Sequence, residues 1–379
     1  MELDTMASSA DSMSVAVFAP AMLLSVEVHR TGDGADEVHL HAGGQGYWIA
    51  RMVQALGARP IPCAAVGGES GIALRAIVEA DGLDARLTHM VHANSVVMDD
   101  RRDGGRSLLA ETPIPSLGRH EIDELYSAIV GAAMSAGVCV LAGTQLAPMF
   151  DPDTFRRLVA VLRRNDVTVV VDLCGEPLRS VLDSGVDIVK LSHEEFIADG
   201  WSERSSVAAI AEGIGRLHAA GATAVVVSRQ DRSTVAGCEG RVVEVRPPAL
   251  EVLDGRGGGD SMTAALAVAS SRGLSFDDGL RMAAAAAALN VSRHGLGTGR
   301  RDAIEDIAKR VEITTVRQPS MNPADPGHPL AELSKAELYE QAKARGVRGR
   351  SSMSRSELVE ALANDGATGR RGAPVREAR

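Results

Sequence analysis

Val252-Leu253-Asp254-Gly255-Arg256-Gly257-Gly258-Gly259-Asp260-Ser261-Met262 joins a short apolar run to an Ala-rich helix through three successive glycines and an aspartate. Glycines at a loop-to-helix junction leave backbone N–H groups unobstructed, and a helix N-terminus adds partial positive charge, so the junction is shaped to hold an anion. An aspartate in the first helical turn beside that site can take a proton from an attacking hydroxyl. Together these are the minimum parts for phosphoryl transfer from a nucleotide to an alcohol. Taken alone, the stretch fits equally a glycine-rich loop in which Asp260 is an ordinary N-terminal cap.

A second cluster, Ala42-Gly43-Gly44-Gln45-Gly46, opens another helix running from Tyr47 to Gly57. The pair of signatures resembles the PfkB (ribokinase-like) carbohydrate kinases, in which an N-terminal GGxG segment binds the sugar and a C-terminal GAGD segment carries the anion hole and catalytic aspartate. The resemblance runs from about Val15 to Ile313. It includes Gly67-Gly68-Glu69-Ser70-Gly71 at the family's G-x-D-x-x-G and Lys190-Leu191-Ser192-His193-Glu194-Glu195 at its KPN-x-x-E. The branch it looks most like is that of the hexose-phosphate kinases, such as 1-phosphofructokinase and tagatose-6-phosphate kinase. A dinucleotide-binding oxidoreductase is a poor reading, because no G-x-G-x-x-G follows a first strand with an acidic residue about 20 positions on.

At 379 residues the chain has room for one large α/β domain and a small companion. It is 45% hydrophobic but only 3% aromatic, so Ala, Val, Leu and Gly do the packing. A net charge of −10 argues against a nucleic-acid-binding main domain. Cys63, Cys139, Cys174 and Cys238 show no metal or disulfide spacing and read as reduced thiols. No window approaches the ~20 apolar residues of a membrane span. The expectation is a cytoplasmic protein that contacts no membrane.

Val-rich runs at Val15–Phe18, Gly137–Ala142, Val167–Asp172, Asp187–Leu191 and Ala224–Ser228 read as strands. Helical stretches at Glu121–Met134, Pro152–Arg164, Val207–Ala219 and Gly259–Arg272 separate them. Apolar strands alternating with helices predict a mostly parallel sheet covered on both faces, with ligands beyond the carboxyl ends of its strands. The resemblance implies the same ribokinase-like sheet sandwiched by helices. Leu24 to Leu40 and Val91 to Leu109 are alternating segments with Gly and Asp turns. They fit the small β-lid that the family folds over its sugar site and often uses as a homodimer interface; they also fit plain surface hairpins.

Residues 1–13 are expected to be a disordered tail and residues 14–315 the kinase-like domain. Residues 316–329 hold Pro319, Pro323, Pro326 and Pro329 and read as a linker. Beyond it, Ser334-x-x-Glu337 and Ser354-x-x-Glu357 are capping boxes that start two helices around an extended basic connector. This helix–extended–helix segment, residues 330–364, resembles the Rho N-terminal and SAP-like modules, and residues 365–379 are expected to be disordered. From Pro326 onward ten Lys/Arg face seven Asp/Glu, a net of +3 that leaves −13 for the rest. The balance points to weak nucleic-acid contact through Arg345, Arg348, Arg350 and Arg355, or to protein docking.

The resemblance implies roles for individual residues. Gly257, Gly258 and Gly259 form the anion hole, and Asp260 is the catalytic base. Its place at a helix N-terminus predicts a low pKa. Glu195 holds Mg²⁺ through water, Lys190 and Ser228 contact ATP, and Gly43, Gly44, Gln45 and Gly46 bind the sugar or sugar-phosphate acceptor. Thr144 and Asp172 end strands but have only that position in their favour and are left out of the site.

The departures gather at the acceptor. The family's strand reading T-L-N-P-A-x-D is Phe18-Ala19-Pro20-Ala21-Met22-Leu23 here, so its Asn has become Ala19 and its hydroxyl-gripping Asp has become Leu23. The lysine that meets a substrate phosphate is Gln45, the Asn of NVA is Trp48, and Ser192 replaces the Asn of N-x-x-E. Ser228-Arg229-Gln230-Asp231-Arg232-Ser233 lacks both glycines of the family's S-x-G-x-x-G. Losing a cationic phosphate anchor removes a contact worth ~1.5–3 kcal/mol. Two explanations follow: a kinase with a changed acceptor, or a catalytically weak regulator that binds sugar or nucleotide and acts through its C-terminal module. The usual hexose phosphate is accommodated only if Arg101, Arg102 or Arg106 of the lid replaces the lysine.

Overall fold

The computed structural model describes residues 13–143, 149–230, 232–293, 295–316, 333–344, 346–347, 349–350 and 353–368. The chain divides into two units, the first ending at Val316 and the second beginning at Arg317. The first opens with β1 (Ser14–Phe18), β2 (Leu23–Arg30), β3 (Asp36–Gly43), α1 (Gln45–Ala55), β4 (Arg59–Val66), α2 (Gly68–Ala80), β5 (Arg86–His89), β6 (Val96–Asp100) and β7 (Ser107–Glu111). It continues with α3 (Arg119–Ala136), β8 (Val138–Ala142), α4 (Pro152–Arg164), β9 (Thr168–Asp172), α5 (Gly175–Leu182), β10 (Val186–Ser192), α6 (His193–Ala198), α7 (Val207–Ala219) and β11 (Ala222–Ser228). It closes with β12 (Thr234–Cys238), β13 (Arg241–Arg246), α8 (Gly258–Ser271), α9 (Phe276–Val291), α10 (Arg301–Ala308) and β14 (Glu312–Thr315).

Ten strands form one sheet in the order β14-β13-β12-β11-β10-β9-β8-β1-β4-β5. It is parallel from β11 to β5, and β12, β13 and β14 add antiparallel at one edge. Side-chain alternation sends successive residues to opposite faces. Ala16, Phe18, Cys139, Leu141, Val169 and Val171 enter the core under α3, α4, α5 and α7. Val15, Val17, Val138, Val140 and Val170 enter a second core under α1, α8, α9 and α10. Both faces are therefore apolar, which is why the strands read as continuous hydrophobic runs. Small side chains at Ala264, Ala265, Ala267 and Ala283–Ala286 let α8 and α9 lie close to the sheet and to each other.

Local chemistry set most boundaries where the sequence indicates them. Helix α4 starts at Pro152, whose missing N–H costs nothing there, and its N-cap Asp151 accepts from the Thr154 N–H at 2.8 Å. Strand β4 is different. It carries Pro60 and Pro62 yet lies between β1 and β5, a position that proline normally argues against, and the sequence analysis does not name it.

The segments expected to form a lid do form a separate four-stranded sheet, ordered β3-β2-β6-β7. Leu24, Val26 and Ala42 on one of its faces pack with Tyr47 of α1 and with Leu74 and Val78 of α2.

In the second unit, α11 (Lys335–Ala344) and α12 (Arg355–Thr368) close a small core of Leu338, Ala342, Leu358, Val359 and Leu362. Both capping boxes are present: Ser334 N–H donates to Glu337 Oε2 at 2.8 Å, and Ser354 N–H to Glu357 Oε2 at 2.6 Å. Helix α12 runs to Thr368, past the end at residue 364 expected from the sequence. The expected N-terminal tail lies outside the described residues except for residue 13, and the linker except for residue 316. Among the described residues no helix is long and apolar enough to cross a membrane.

Candidate active site

A cavity of about 440 Å³ opens at the carboxyl ends of the central strands, where a parallel sheet leaves room for ligands. Ala19 follows β1, Ala142 and Asp172 end β8 and β9, and Lys190 and Ser192 come from the end of β10. Gln45, Gly46 and Tyr47 come from the start of α1, Glu195 from α6 and Asp260 from α8. Leu23 and Ser95 border it from the lid side. Asp260 and Gly44 to Gly46, more than two hundred residues apart in the chain, thus line one cavity, whereas Gly257, Gly258 and Gly259 do not line it.

Helix α8 begins at Gly258, with Gly257 as its N-cap in the left-handed region at φ 71°. A Cβ on Gly257 would also lie 3.0 Å from Asn290 Nδ2. That buried asparagine donates to the Arg256 carbonyl at 2.8 Å and accepts from the Gly297 N–H at 3.0 Å, tying the glycine loop to α9. Gly46 is demanded by close approach rather than by φ: a Cβ there would stand 2.4 Å from the Ala19 Cβ.

Behind Asp260 lies a buried polar cluster. Lys190 Nζ donates to Asp172 Oδ2 at 3.0 Å, with both side chains nearly sealed from solvent at 5% and 1% exposure. Thr263 Oγ1 donates to the same oxygen at 2.8 Å. A Cβ added to Gly259 would stand 2.5 Å from Lys190 Nζ, so the ammonium sits against the anion-loop backbone. Burial works against the Lys190 charge, but Asp172 and Asp260 hold its pKa above the usual lysine value.

Asp260 departs from the expectation of a low pKa. Burial first, and then the Asp172 charge, push it up to about 7, against the opposing pull of Lys190 and of the nearby Gln45 side chain. Desolvation outweighs the helix terminus here because the nearest cation is already spent on Asp172. The carboxylate is thereby a far better base than the sequence implies.

Glu195 lines the cavity while its Oε2 accepts the Ser192 N–H at 2.9 Å and Ser192 Oγ accepts the Glu195 N–H at 3.2 Å, a capping box on α6. Gly44, Gln45 and Gly46 line the cavity, whereas Gly43 ends β3 and does not. Ser228 does not line it either; its Oγ donates to the Leu191 carbonyl at 3.4 Å. The family's two glycines after that strand are Gln230 and Ser233 here; Gln230 keeps a left-handed φ of 53°, and the Ser233 carbonyl accepts at 2.7 Å from the buried Arg229, which also meets Glu244 at 3.0 Å. Lys190 meets Asp172 rather than standing free for a nucleotide. Thr144 lies outside the described residues.

Sequence reasoning set Asp172 aside, yet it neutralises Lys190 and raises Asp260. One signal was available: Val-Val-Val-Asp172 and Ile-Val-Lys190 are apolar runs ending in opposite charges on adjacent strands, with Val171 opposite Val189. Asn290 and Thr263 had no such signal, being single polar residues in Ala-rich helices.

The lid arginines stand outside the cavity and are paired with acidic residues. Arg101 pairs with Glu27 at 3.0 Å, Arg102 with Asp100 at 2.7 Å and Arg106 with Asp99 at 2.7 Å, and none lines the cavity. In the second unit, Arg350 lies over the Tyr339 ring at 5.9 Å and Arg355 donates to the Leu333 carbonyl at 3.1 Å. Arg345 and Arg348 lie outside the described residues.

A profile of the pfkB family carbohydrate kinases matches residues 15–303. The ATP-dependent 6-phosphofructokinase isozyme 2 of Mycobacterium tuberculosis H37Rv is 28% identical over 269 residues, which span 69% of this chain and 78% of the relative. The 1-phosphofructokinase of Haloferax volcanii is 28% identical over 296 residues, 76% of this chain and 91% of the relative. Among solved structures, Escherichia coli phosphofructokinase-2 in complex with potassium superposes with a TM-score of 0.70 at 19% identity, covering 79% of this chain and 98% of the other. Arabidopsis thaliana ribokinase complexed with ribose and ATP gives 0.63 at 19% identity over 79% and 99%. The fold is thus ribokinase-like.

Proposed function

The chain belongs to the pfkB family of carbohydrate kinases, and we propose that it transfers the γ-phosphoryl group of ATP to an acceptor hydroxyl with Asp260 as the base. The observation that carries this reading is Asp260 itself: a carboxylate in the first turn of α8, facing the cavity, with a pKa of about 7. The acceptor oxygen bonds to the γ-phosphorus, the bond from that phosphorus to the β,γ-bridging oxygen breaks, and ADP leaves. The hydroxyl proton passes to Asp260. Backbone N–H groups of Gly257, Gly258 and Gly259 and the α8 terminus stabilise the charge that develops on the phosphoryl oxygens. Lys190, fixed by Asp172 behind Gly259, adds positive charge to the same region.

Magnesium suits the residues present. It keeps much of its hydration shell and needs few protein ligands, and Glu195 supplies one carboxylate at the cavity wall. Bound with the nucleotide, it neutralises phosphate charge. Glu195 would hold it through water while its own Oε2 stays oriented by the Ser192 N–H. For Ser228 and Gly43 we assign no ligand contact.

Self-association through the lid is supported by its two edge strands, which expose Val38 and Leu40 on β3 and Leu108 and Leu109 on β7. For the helical module, the internal engagement of Arg350 and Arg355 favours protein docking over nucleic-acid contact.

The test is Asp260→Asn in the full chain. ADP formation should fall by about 10²–10⁴-fold while Mg-ATP binding, read by calorimetry, stays within a few-fold of wild type. A variant that keeps most of the rate rejects Asp260 as the base. Wild-type protein that binds Mg-ATP yet forms no ADP with any acceptor is the regulator instead.

A further inference from the structure

The acceptor half of the cavity is unlike a site for a polyol or a sugar phosphate. Its side chains are largely apolar: Met22, Leu23, Met90, Ile114, Pro115 and Met149. Four polar side chains also line it, and three of them are already committed within the protein. Asn94 Nδ2 donates to the Met22 and Ala65 carbonyls, both at 3.0 Å, and Asn94 Oδ1 accepts from the Gly67 N–H at 2.9 Å. Ser95 Oγ donates to the Thr112 carbonyl at 2.6 Å, and the Tyr47 hydroxyl donates to Asp81. Gln45, the fourth, lines the cavity beside Asp260.

The charges point the same way. Among the described lining residues Lys190 is the one cation, it is bonded to Asp172, and three carboxylates face it: Asp172, Glu195 and Asp260. A phosphate on the acceptor would meet a field with no unspent cation. A sugar with several hydroxyls would bury groups that find no partner, which binding sites penalise heavily.

Resting on the kinase reading above, we propose that the acceptor is a neutral alcohol that offers one hydroxyl to Asp260 and an apolar or aromatic ring to Leu23, Met90, Ile114 and Met149. Desolvation of such a body costs little, and the thioethers of Met22, Met90 and Met149 pack well on an aromatic edge. Gln45, which lines the cavity together with Asp260, then faces the reacting hydroxyl instead of a phosphate.

The experiment uses the full-length protein with Mg-ATP and reads ADP release. Thymidine and 3-hydroxymethylpyridine stand for neutral ring-bearing alcohols, fructose and ribose for free polyols, and fructose 1-phosphate and fructose 6-phosphate for charged acceptors. Binding of Mg-ATP is measured in parallel by calorimetry. The expected result is a kcat/KM for a ring-bearing alcohol that exceeds both hexose phosphates by about tenfold to a hundredfold, the worth of one missing charge-assisted phosphate anchor. Equal or better use of a hexose phosphate or a free hexose overturns the acceptor assignment and leaves the kinase reading intact. So does turnover of another acceptor with none of either ring-bearing alcohol, whereas Mg-ATP binding with no turnover of any acceptor overturns both readings in favour of the regulator. Absence of Mg-ATP binding overturns the kinase reading itself.

Discussion

The two ends of the cavity are both helix starts rich in glycine, yet they are built on opposite principles. At α8, Gly257 to Asp260 rest on a buried network in which Lys190 and Thr263 both donate to Asp172 and the loop is pinned by Asn290. At α1, Gly44 to Gly46 face Leu23 and Ala19, and the nearby polar side chains are turned inward to the protein. Charge is concentrated at the end that the kinase reading assigns to phosphoryl transfer and is sparse at the end it assigns to the acceptor. On that reading reaction and specificity are separable, because one end keeps the family's motif residues while the other departs from them.

Breaking the charged end should have the largest effect. Lys190→Met leaves the Asp172 carboxylate buried without its cation, and removing one partner of a buried pair costs about 3–5 kcal/mol. Thermal or urea unfolding checks this, and a loss below about 1 kcal/mol would show that Thr263 alone satisfies Asp172.

The pH profile of kcat/KM probes the same end without mutation. Asp260 must be ionised to accept a proton, so with a pKa of about 7 the rate should rise about tenfold per unit below that value and level off above it. Stability runs the other way. The folded state holds this proton up to about pH 7 while the unfolded chain releases it near its ordinary 3.8, so the Asp260 contribution falls as pH rises between the two. Asp260→Asn should therefore raise the melting temperature at neutral pH and change it little near pH 4. A flat difference across that range would mean Asp260 ionises normally.

The apolar end is sharpened by Gln45→Lys. It restores a cation at the acceptor and should raise kcat/KM for fructose 6-phosphate by about tenfold while leaving neutral acceptors unimproved. Equal gains for both classes would place Gln45 away from the acceptor's charge. The smallest effect is expected from truncation after Val316. The two units have separate cores, so Mg-ATP affinity and the melting transition of the first unit should stay unchanged within error. A lowered transition would show that the module supports the first unit.

Much of this molecule was legible along the chain. Strands buried on both faces announce themselves as unbroken Val runs, and the five named in the sequence recur within two residues at each end. Pro152, the capping serines and the glycines fix helix starts by local backbone chemistry, which needs no knowledge of the fold. The same locality makes the glycine junction before Asp260 stand out along the chain and hides β4, whose prolines contradict its place between two partners.

What the sequence by itself determined was the layer architecture and the identity of the two glycine junctions, because period-two alternation, capping and glycine spacing are encoded by near neighbours. What only the tertiary structure decided was the electrostatic character of the site. Asp172, Lys190 and Asp260 are far apart in the chain and meet because β9, β10 and α8 converge at one point. A pKa depends on burial and on charges a few ångströms away, neither of which the residue's own segment records. For the same reason a helix-terminal aspartate that its sequence reads as acidic has its pKa raised to about 7.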